Sequence, residues 1–451
     1  MRAAGLKPGD CVAIVLPNSL EFLVVFLALT HAGLVAAPLN PADKPDEIRF
    51  FVEDAQARAV VTGRANSNVR EAVAGLGLPM WQPTVDRSGV VQIPELPTAS
   101  HTSLDDPNPD DIALFAYTSG TTGRPKCVPL SHGNVLWSSR NIAAHYDLTS
   151  ADCSLLVLPL FHGHGLIGAA LSTLASGGSV IVPPRFSASE LWKLFREHHA
   201  TWYTAVPTIH QVLLERADSD AAPHDGPRFI RSCSAPLAPT ILTKLENRFG
   251  APVLEAYGMT EAAHQVATNP LPPLVHKPGT VGRSAEISVI DQTGRHLAAN
   301  TSGEVVVRGP NVMRGYRNNR EANDAAFIDG WFRTGDIGAI DNDGYLALTG
   351  RIKDLINRGG EKISPAEVEA VLLEHPAVAE AAVFEVPDPK YGEEVSAAVV
   401  LRGAATPQEL QKYCGTRLAD FKVPKLIHPV AAIPRNAMGK VQRNELTALF
   451  S

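Results

Sequence analysis

The sequence predicts an α/β protein: a large N-terminal body of parallel sheets flanked by helices, with a β-rich subdomain, followed by a small α+β C-terminal domain. Three observations carry this reading. At 451 residues the chain exceeds what one compact core accommodates. From residue 11 to about residue 350, short β-branched runs alternate with helical patterns, the signature of parallel strands joined by helical crossovers. From Glu286 on, strand-like segments separated by Gly and Asp turns read as an antiparallel region.

In chain order, residues 1–10 read as the last turn of a helix, a glycine stop and a turn into a strand over 11–16. The runs 12–16, 59–61, 155–158, 179–182 and 253–254 supply strands, and 19–32 and 188–199 supply helices. The apolar stretch 22–29 is cut by Thr30-His31-Ala32-Gly33, too short to cross a bilayer, and reads as a buried helix; the N-terminus lacks the charged and apolar regions of a signal peptide. Residues 83–111, with prolines at 83, 94, 97, 107 and 109, read as a loop wrapping the surface. Strands at 287–290, 303–307 and 344–348 form the antiparallel region. Beyond Arg351 the pattern is helix 365–373, strand 378–385, strand 395–401, helix 407–418 and a tail.

Composition removes several functions. With 40 Lys plus Arg against 47 Asp plus Glu, a net charge of −7 offers no basic field for nucleic acid. Cys11, Cys127, Cys153, Cys233 and Cys414 are odd in number, widely spaced and without a Cys-x-x-Cys pair, so neither a disulfide framework nor a zinc site is indicated. The expected compartment is reducing and cytoplasmic. The ending Leu449-Phe450-Ser451 is not a clean peroxisomal address, although such addresses are loose enough to leave that compartment open.

Chemistry first shows in Thr118-Ser119-Gly120-Thr121-Thr122-Gly123-Arg124-Pro125-Lys126. Gly120 and Gly123 reach backbone angles closed to other residues, so successive N–H groups can turn inward as an anion nest. Hydroxyls add donors, and Arg124 and Lys126 add charge. The segment 112–116 leads in as a strand, and Cys127-Val128-Pro129-Leu130 leads out to Ser131 as a helix cap. No Lys-Ser or Lys-Thr follows the second glycine, so this is not the Gly-x-x-x-x-Gly-Lys loop. It is built for the polyphosphate of a nucleotide triphosphate.

The segment resembles the phosphate loop of the adenylate-forming superfamily of acyl-CoA synthetases, luciferases and peptide-synthetase adenylation domains. Four further blocks follow in family order: Tyr257-Gly258-Met259-Thr260-Glu261, Gly330-Trp331-Phe332-Arg333-Thr334-Gly335-Asp336, Gly350-Arg351-Ile352-Lys353-Asp354 and Pro434-Arg435-Asn436-Ala437-Met438-Gly439-Lys440. The resemblance implies a nucleotide-binding body over 1–350, a hinge at 351–353 and a mobile cap over 354–451. Family members carry a few tens of residues before the first strand, so it also implies a shortened start.

The resemblance further implies attack of a carboxylate on the α-phosphate of ATP, giving an acyl-adenylate and pyrophosphate, and then transfer to a thiol. Cations must offset the repulsion between two anions and follow the charge as it moves. Glu261 suits Mg²⁺, being a hard carboxylate, although a surface Glu at a helix start is the alternative. Thr260 is implied to contact the α-phosphate. Tyr257 offers a flat face to adenine, with core packing as its rival, and Ser234-Ala235-Pro236 has the small residues for the opposite wall. Gly258 and Met259 complete the nucleotide-binding block. Asp336 and Arg351 are implied to meet the ribose hydroxyls. Lys440, beside Gly439, is the cation expected to touch both carboxylate and phosphate oxygens during adenylation. Lys353 falls where the family pivots its cap, a motion that would exchange Lys440 for Gly359-Gly360-Glu361-Lys362 at the adenylate. Coenzyme A supplies the thiol, so the five cysteines are expected to be buried small hydrophobes.

His162, Ser234 and His264 stand out as candidate acyl-pocket residues. Two imidazoles and a hydroxyl suit a small diacid, whose second carboxylate is costly to bury without donors. The segments 202–210, 229–235 and 269–279 resemble the oxalyl-CoA synthetase branch, in which the oxalate contacts match His162, Ser234 and His264. His162 is also read as a gate to the thiol tunnel, His264 as a core histidine, and His162 with His164 lacks a third metal ligand. His198, His199 and His210 read as surface or packing residues. Another short or aryl acid, a carrier-protein-loading enzyme and an inactive nucleotide-binding remnant are the rival functions.

Overall fold

The computed structural model describes residues 1–97, 105–118, 125–216, 226–284, 286–436 and 439–451. Its frame is a pair of six-stranded sheets. The first runs Met80–Trp81, Ala59–Thr62, Cys11–Val15, Val35–Pro38, Ile112–Tyr117, Cys127–Ser131; all neighbours are parallel except the last pair, an antiparallel hairpin. The second runs Ser179–Ile181, Cys153–Leu155, Trp202–Ala205, Phe229–Ser232, Val253–Met259, His264–Thr268, again parallel until an antiparallel final pair. Strands buried on both faces must be apolar throughout, and Cys-Val-Ala-Ile-Val of the first sheet is buried at every position.

The helices between them start and stop on local chemistry. Ser19 caps Leu20–His31 by accepting from the Phe22 N–H at 3.2 Å, and Gly33, in the left-handed region, turns the chain back. Ser131 and Asn134 form a capping box at the start of His132–His145. This helix therefore begins one residue after the strand that leaves the phosphate loop.

The predicted antiparallel region is present as Ile287–Ile290, Gly303–Val307, Trp331–Ile340 and Leu346–Arg351, with Phe327–Ile328 at one edge. Trp331–Ile340 was not legible as a strand, since its Thr-Gly-Asp reads as a turn; the ladder absorbs this with register shifts on both flanks. The strand expected over 344–348 lies later, at Leu346–Arg351, because Gly344 closes the preceding turn with φ 85°. The strand expected over 155–158 ends at Leu155, the helix expected over 188–199 shrinks to Leu191–Glu197, and the strand expected over 253–254 extends to Met259.

Beyond the short turn Ile352–Asp354, a fourth sheet joins Glu361–Ile363, Ile356–Arg358, Gly392–Leu401, Val378–Asp388 and Leu426–Pro429. Helices Pro365–Glu374 and Pro407–Gly415 cover it. The tail is not irregular: it adds the strand Leu426–Pro429 and the helix Arg443–Phe450, whose Arg443 donates to Glu369 at 2.6 Å. All five cysteines are buried free thiols. Among the described residues no helix is long and apolar enough to cross a membrane.

Leu372 belongs to an apolar core made only of residues from this last region. Truncating Leu372 to Ala is expected to lower unfolding stability by about 2–5 kcal/mol, whereas Leu426→Ala, at a half-exposed edge position, changes it by about 0.5 kcal/mol or less. Urea titration of the two variants measures the contrast; equal losses would contradict the core assignment.

Candidate active site

The phosphate loop is held at its ends. Tyr117 pairs with Cys127 across the hairpin, the Thr118 N–H donates to the Lys126 carbonyl at 3.1 Å, and the Lys126 N–H donates to Thr118 Oγ1 at 3.3 Å. Ser119, Gly120, Thr121, Thr122 and Gly123 lie outside the described residues. The Lys126 ammonium stands 4.7 Å from the centroid of the Tyr316 ring, whose hydroxyl donates to Glu261 Oε1 at 2.9 Å. Lys126 and Glu261 thus flank one tyrosine.

Glu261 occupies the turn Thr260–Ala262, where Val253–Met259 ends and the chain folds back as His264–Thr268. The reversal uses Ala263 at φ 46° and His264 at φ 83°; Ser234 at φ 74° is a third non-glycine residue in this region. Such conformations cost about 1–3 kcal/mol each and persist where the surroundings over-determine them. Both Ser234 and His264 are sequence-predicted pocket residues. Ala235 and Pro236 are exposed beside Ser234, and Thr260, Met259 and Gly258 are partly exposed.

Asp336 is buried and doubly bound: Arg351 Nε donates to Oδ1 at 2.6 Å, and the Tyr257 hydroxyl donates to Oδ2. The Tyr257 ring is 7% exposed and belongs to the apolar core, so packing and proximity to Asp336 are joined in one residue. Burial, and then the Asp336 charge, push its hydroxyl well above the ordinary tyrosine range.

Lys440 arrives from the other end of the chain. Arg435 and Val441 form an isolated bridge, the Lys440 N–H donates to Asn436 Oδ1 at 3.0 Å, and Gly439 takes φ 74°. A Cβ on Gly439 would lie 3.2 Å from Thr208 Oγ1, so the loop rests directly on the start of helix Pro207–Glu215. Lys440 projects into a cleft that is crowded yet open to water. Crowding, and then the Arg351 charge, lower its pKa, while Asp336 and Glu261 oppose that shift. His162 is close enough to feel Lys440; burial and that ammonium push its imidazole down to about 3. His162 Nδ1 accepts from the His164 N–H at 3.2 Å. Lys353 sits in the turn Ile352–Asp354, its pKa lowered by burial and by Arg351.

Behind Ser234 and His264 lies a polar network that sequence patterns did not reveal. Arg231 is 0% exposed. Its Nε donates to the Tyr146 hydroxyl (3.0 Å), Nη1 to His164 Nε2 and Thr204 Oγ1 (both 3.2 Å), and Nη2 to His264 Nε2 and Gln265 Oε1 (both 3.0 Å). His164 Nδ1 lies 2.9 Å from Ser234 Oγ, and the two imidazoles stack at 4.8 Å. Burial, with the neighbouring His264 ring and Arg231 charge, holds His164 well below the ordinary histidine range; burial and Arg231 do the same for His264. Among the described residues no carboxylate pairs with Arg231. The ligand atoms of His164, Cys233 and His264 lie within 4.8 Å of one another, but a guanidinium donating to both imidazoles opposes a metal cation there.

Arg231, His164 and Tyr316 were the residues missed. An arginine inside Phe229-Ile230-Arg231-Ser232, a strand otherwise suited to full burial, was the available signal for the first.

Comparison with known proteins gives the same reading of the chain. Residues 1–317 match the model of the AMP-binding enzyme family, and residues 367–440 match the AMP-binding enzyme C-terminal domain. The chain is 48% identical over 460 residues to an oxalate–CoA ligase of Arabidopsis thaliana, covering 99% of this chain and 90% of that one. It is 41% identical over 474 residues to an oxalate–CoA ligase of Saccharomyces cerevisiae, covering 98% and 87%. The crystal structure of ATP-bound MatB from Rhodopseudomonas palustris superposes with a TM-score of 0.90 at 34% identity, over 100% of this chain and 90% of that one. The chain therefore belongs to the AMP-binding enzyme family, the adenylate-forming superfamily whose sequence blocks it carries.

Proposed function

We propose that this protein is an ATP-dependent, Mg²⁺-requiring acid–CoA ligase that converts oxalate to oxalyl-CoA through an acyl-adenylate. The observation that carries the choice of acid is Arg231. A guanidinium buried without an acidic partner costs several kcal/mol. A second anion bound at Ser234 and His264 supplies the missing charge, and a fatty or aryl acid supplies none. The oxalate–CoA ligases similar to the chain support the same assignment.

In this reading one carboxylate of the acid attacks the α-phosphate, the bond to the β-phosphate breaks, and pyrophosphate leaves. The thiol of coenzyme A then attacks the acyl carbon and releases AMP. Thr118, Lys126 and the glycine-rich loop hold the phosphates, Thr260 meets the α-phosphate, and Glu261 holds Mg²⁺, which screens phosphate charge when bound. The Glu261 carboxylate fits that ion: a hard oxygen ligand oriented by Tyr316 beside the phosphate loop. Asp336 and Arg351 hold the ribose, Tyr257 borders adenine, and Ser234-Ala235-Pro236 forms the facing wall. Lys440 bridges carboxylate and phosphate oxygens, and His162, near enough to feel the Lys440 charge, contacts the acid. The second half-reaction uses a rotation about 351–353, with Lys353 as pivot and 354–451 as the moving cap. Buried free thiols suit a reducing, cytoplasmic setting.

Pyrophosphate exchange across a panel of acids tests the substrate. Exchange that depends on oxalate and is at least tenfold weaker with acetate and benzoate is expected on the order of a charge-assisted contact; strong exchange on a monoacid alone refutes it. Lys440→Ala should lower adenylate formation on the order of 100-fold or more while a supplied acyl-adenylate is still converted to thioester. Equal loss of both half-reactions contradicts the swinging cap. A Cβ at Gly168 would lie 2.4 Å from His264 Nε2. Gly168→Ala is therefore expected to raise KM for the acid roughly 10- to 100-fold through a displaced imidazole, with KM for ATP held.

A further inference from the structure

Arg231 constrains protons as well as charge. A guanidinium carries five N–H donors and no acceptor. Five contacts absorb them: Tyr146, His164, Thr204, His264 and Gln265. Each contacted atom must therefore present a lone pair. For His164 and His264 that atom is Nε2, so a neutral ring carries its proton on Nδ1. Thr204 Oγ1 accepts from Arg231 and aims its own proton at His164 Nε2, 2.7 Å away, so that nitrogen's single lone pair is shared by two donors in a three-centre contact.

The consequence passes to the pocket. A protonated His164 Nδ1 donates to Ser234 Oγ across 2.9 Å, which leaves the serine proton free to donate outward. The opposite tautomer would turn the serine hydroxyl inward as a donor and present only lone pairs to the acid. His264 Nδ1 lies on the side of its ring away from Arg231, near Gly258, where a Cβ would come within 3.3 Å of it. Both neutral rings are accounted for by burial beside a fixed cation.

We propose that Arg231 is a positioning residue that fixes the tautomers of His164 and His264, so that Ser234 Oγ–H and His264 Nδ1–H face the acid as donors. This rests on the reading above that places the second carboxylate against those two groups. An ionised carboxylate only accepts hydrogen bonds, and a pocket wall that only donates is its complement. With all five donors used internally, the guanidinium sets the specificity without touching the substrate.

Long-range proton–nitrogen correlation spectra of ¹⁵N-histidine-labelled enzyme test this directly, with His164→Gln and His264→Gln assigning the signals. In the unmodified enzyme near neutral pH both rings are expected to show protonated Nδ1 and unprotonated Nε2. Protonated Nε2 on either ring overturns the proposal, and this reading needs no variant to fold. Arg231→Lys separates charge from geometry: it keeps the cation but loses the fork. Mixed tautomers and a KM for oxalate raised on the order of 10- to 100-fold, with KM for ATP held, are expected; unchanged tautomers and KM overturn it. Nδ1-protonated rings in an enzyme that shows no exchange with oxalate would sink the substrate reading while leaving the tautomer assignment intact.

Discussion

A buried arginine with no acidic partner among the described residues is the constraint around which this site is organised. Arg231 sits on the strand Phe229–Ser232 with Thr204 as its register partner on the neighbouring strand. The same face carries the stack of Tyr146, Phe229 and Trp202, with ring centroids 4.8 and 5.0 Å apart. This packing fixes Tyr146, whose hydroxyl accepts from Arg231, and so holds the fork against the two imidazoles. In an apolar surrounding each such hydrogen bond is strong and each missing one is expensive. The charge is thereby pinned close to the pocket while its hydrogen bonds are satisfied inside the fold.

Both six-stranded sheets carry part of the chemistry beyond the carboxyl ends of their strands. In open α/β sheets, groups at the carboxyl ends of strands gather at a crevice. Ser234 follows Phe229–Ser232, Glu261 follows Val253–Met259, and Thr118 follows Ile112–Tyr117. Ser234, Ala263 and His264 take left-handed backbone just beyond these strands, a conformation that persists where the surroundings over-determine it. Lys440 is carried on the loop closed by the Arg435–Val441 bridge, whose Gly439 rests against Thr208. Arg351 lowers the Lys440 pKa while Asp336 and Glu261 oppose that shift, so these charged groups lie within reach of its ammonium.

The sequence was most readable where local chemistry decides structure. Alternating β-branched runs gave the parallel sheets, Ser19 and Ser131 marked helix starts, and the Gly/Thr-rich segment lay between two strands as expected. It was least readable where long-range pairing overrides local signals. Thr334-Gly335-Asp336 looks like a turn, yet it continues a ten-residue strand because both Gly303–Val307 and Leu346–Arg351 pair with it. Leu426–Pro429 was lost in the tail for the same reason, its pairing partner lying on Gly392–Leu401. For the site, Glu261, Asp336, Lys440 and Ser234 could be proposed from sequence because their blocks are distinctive. Arg231 was not, since nothing in a four-residue strand says that its arginine points into two histidines contributed by residues 164 and 264.

The central claim is that this internal cation and its two neutral imidazoles form a seat for a second carboxylate. A crystal structure of the enzyme with a non-hydrolysable adenylate of oxalate tests it most directly. The account predicts the distal carboxylate at hydrogen-bond distance, roughly 2.7–3.2 Å, from both Ser234 Oγ and His264 Nδ1, with the Arg231 fork unchanged. A distal carboxylate turned away from these groups into solvent, or Arg231 swung out to grip it, would contradict the account.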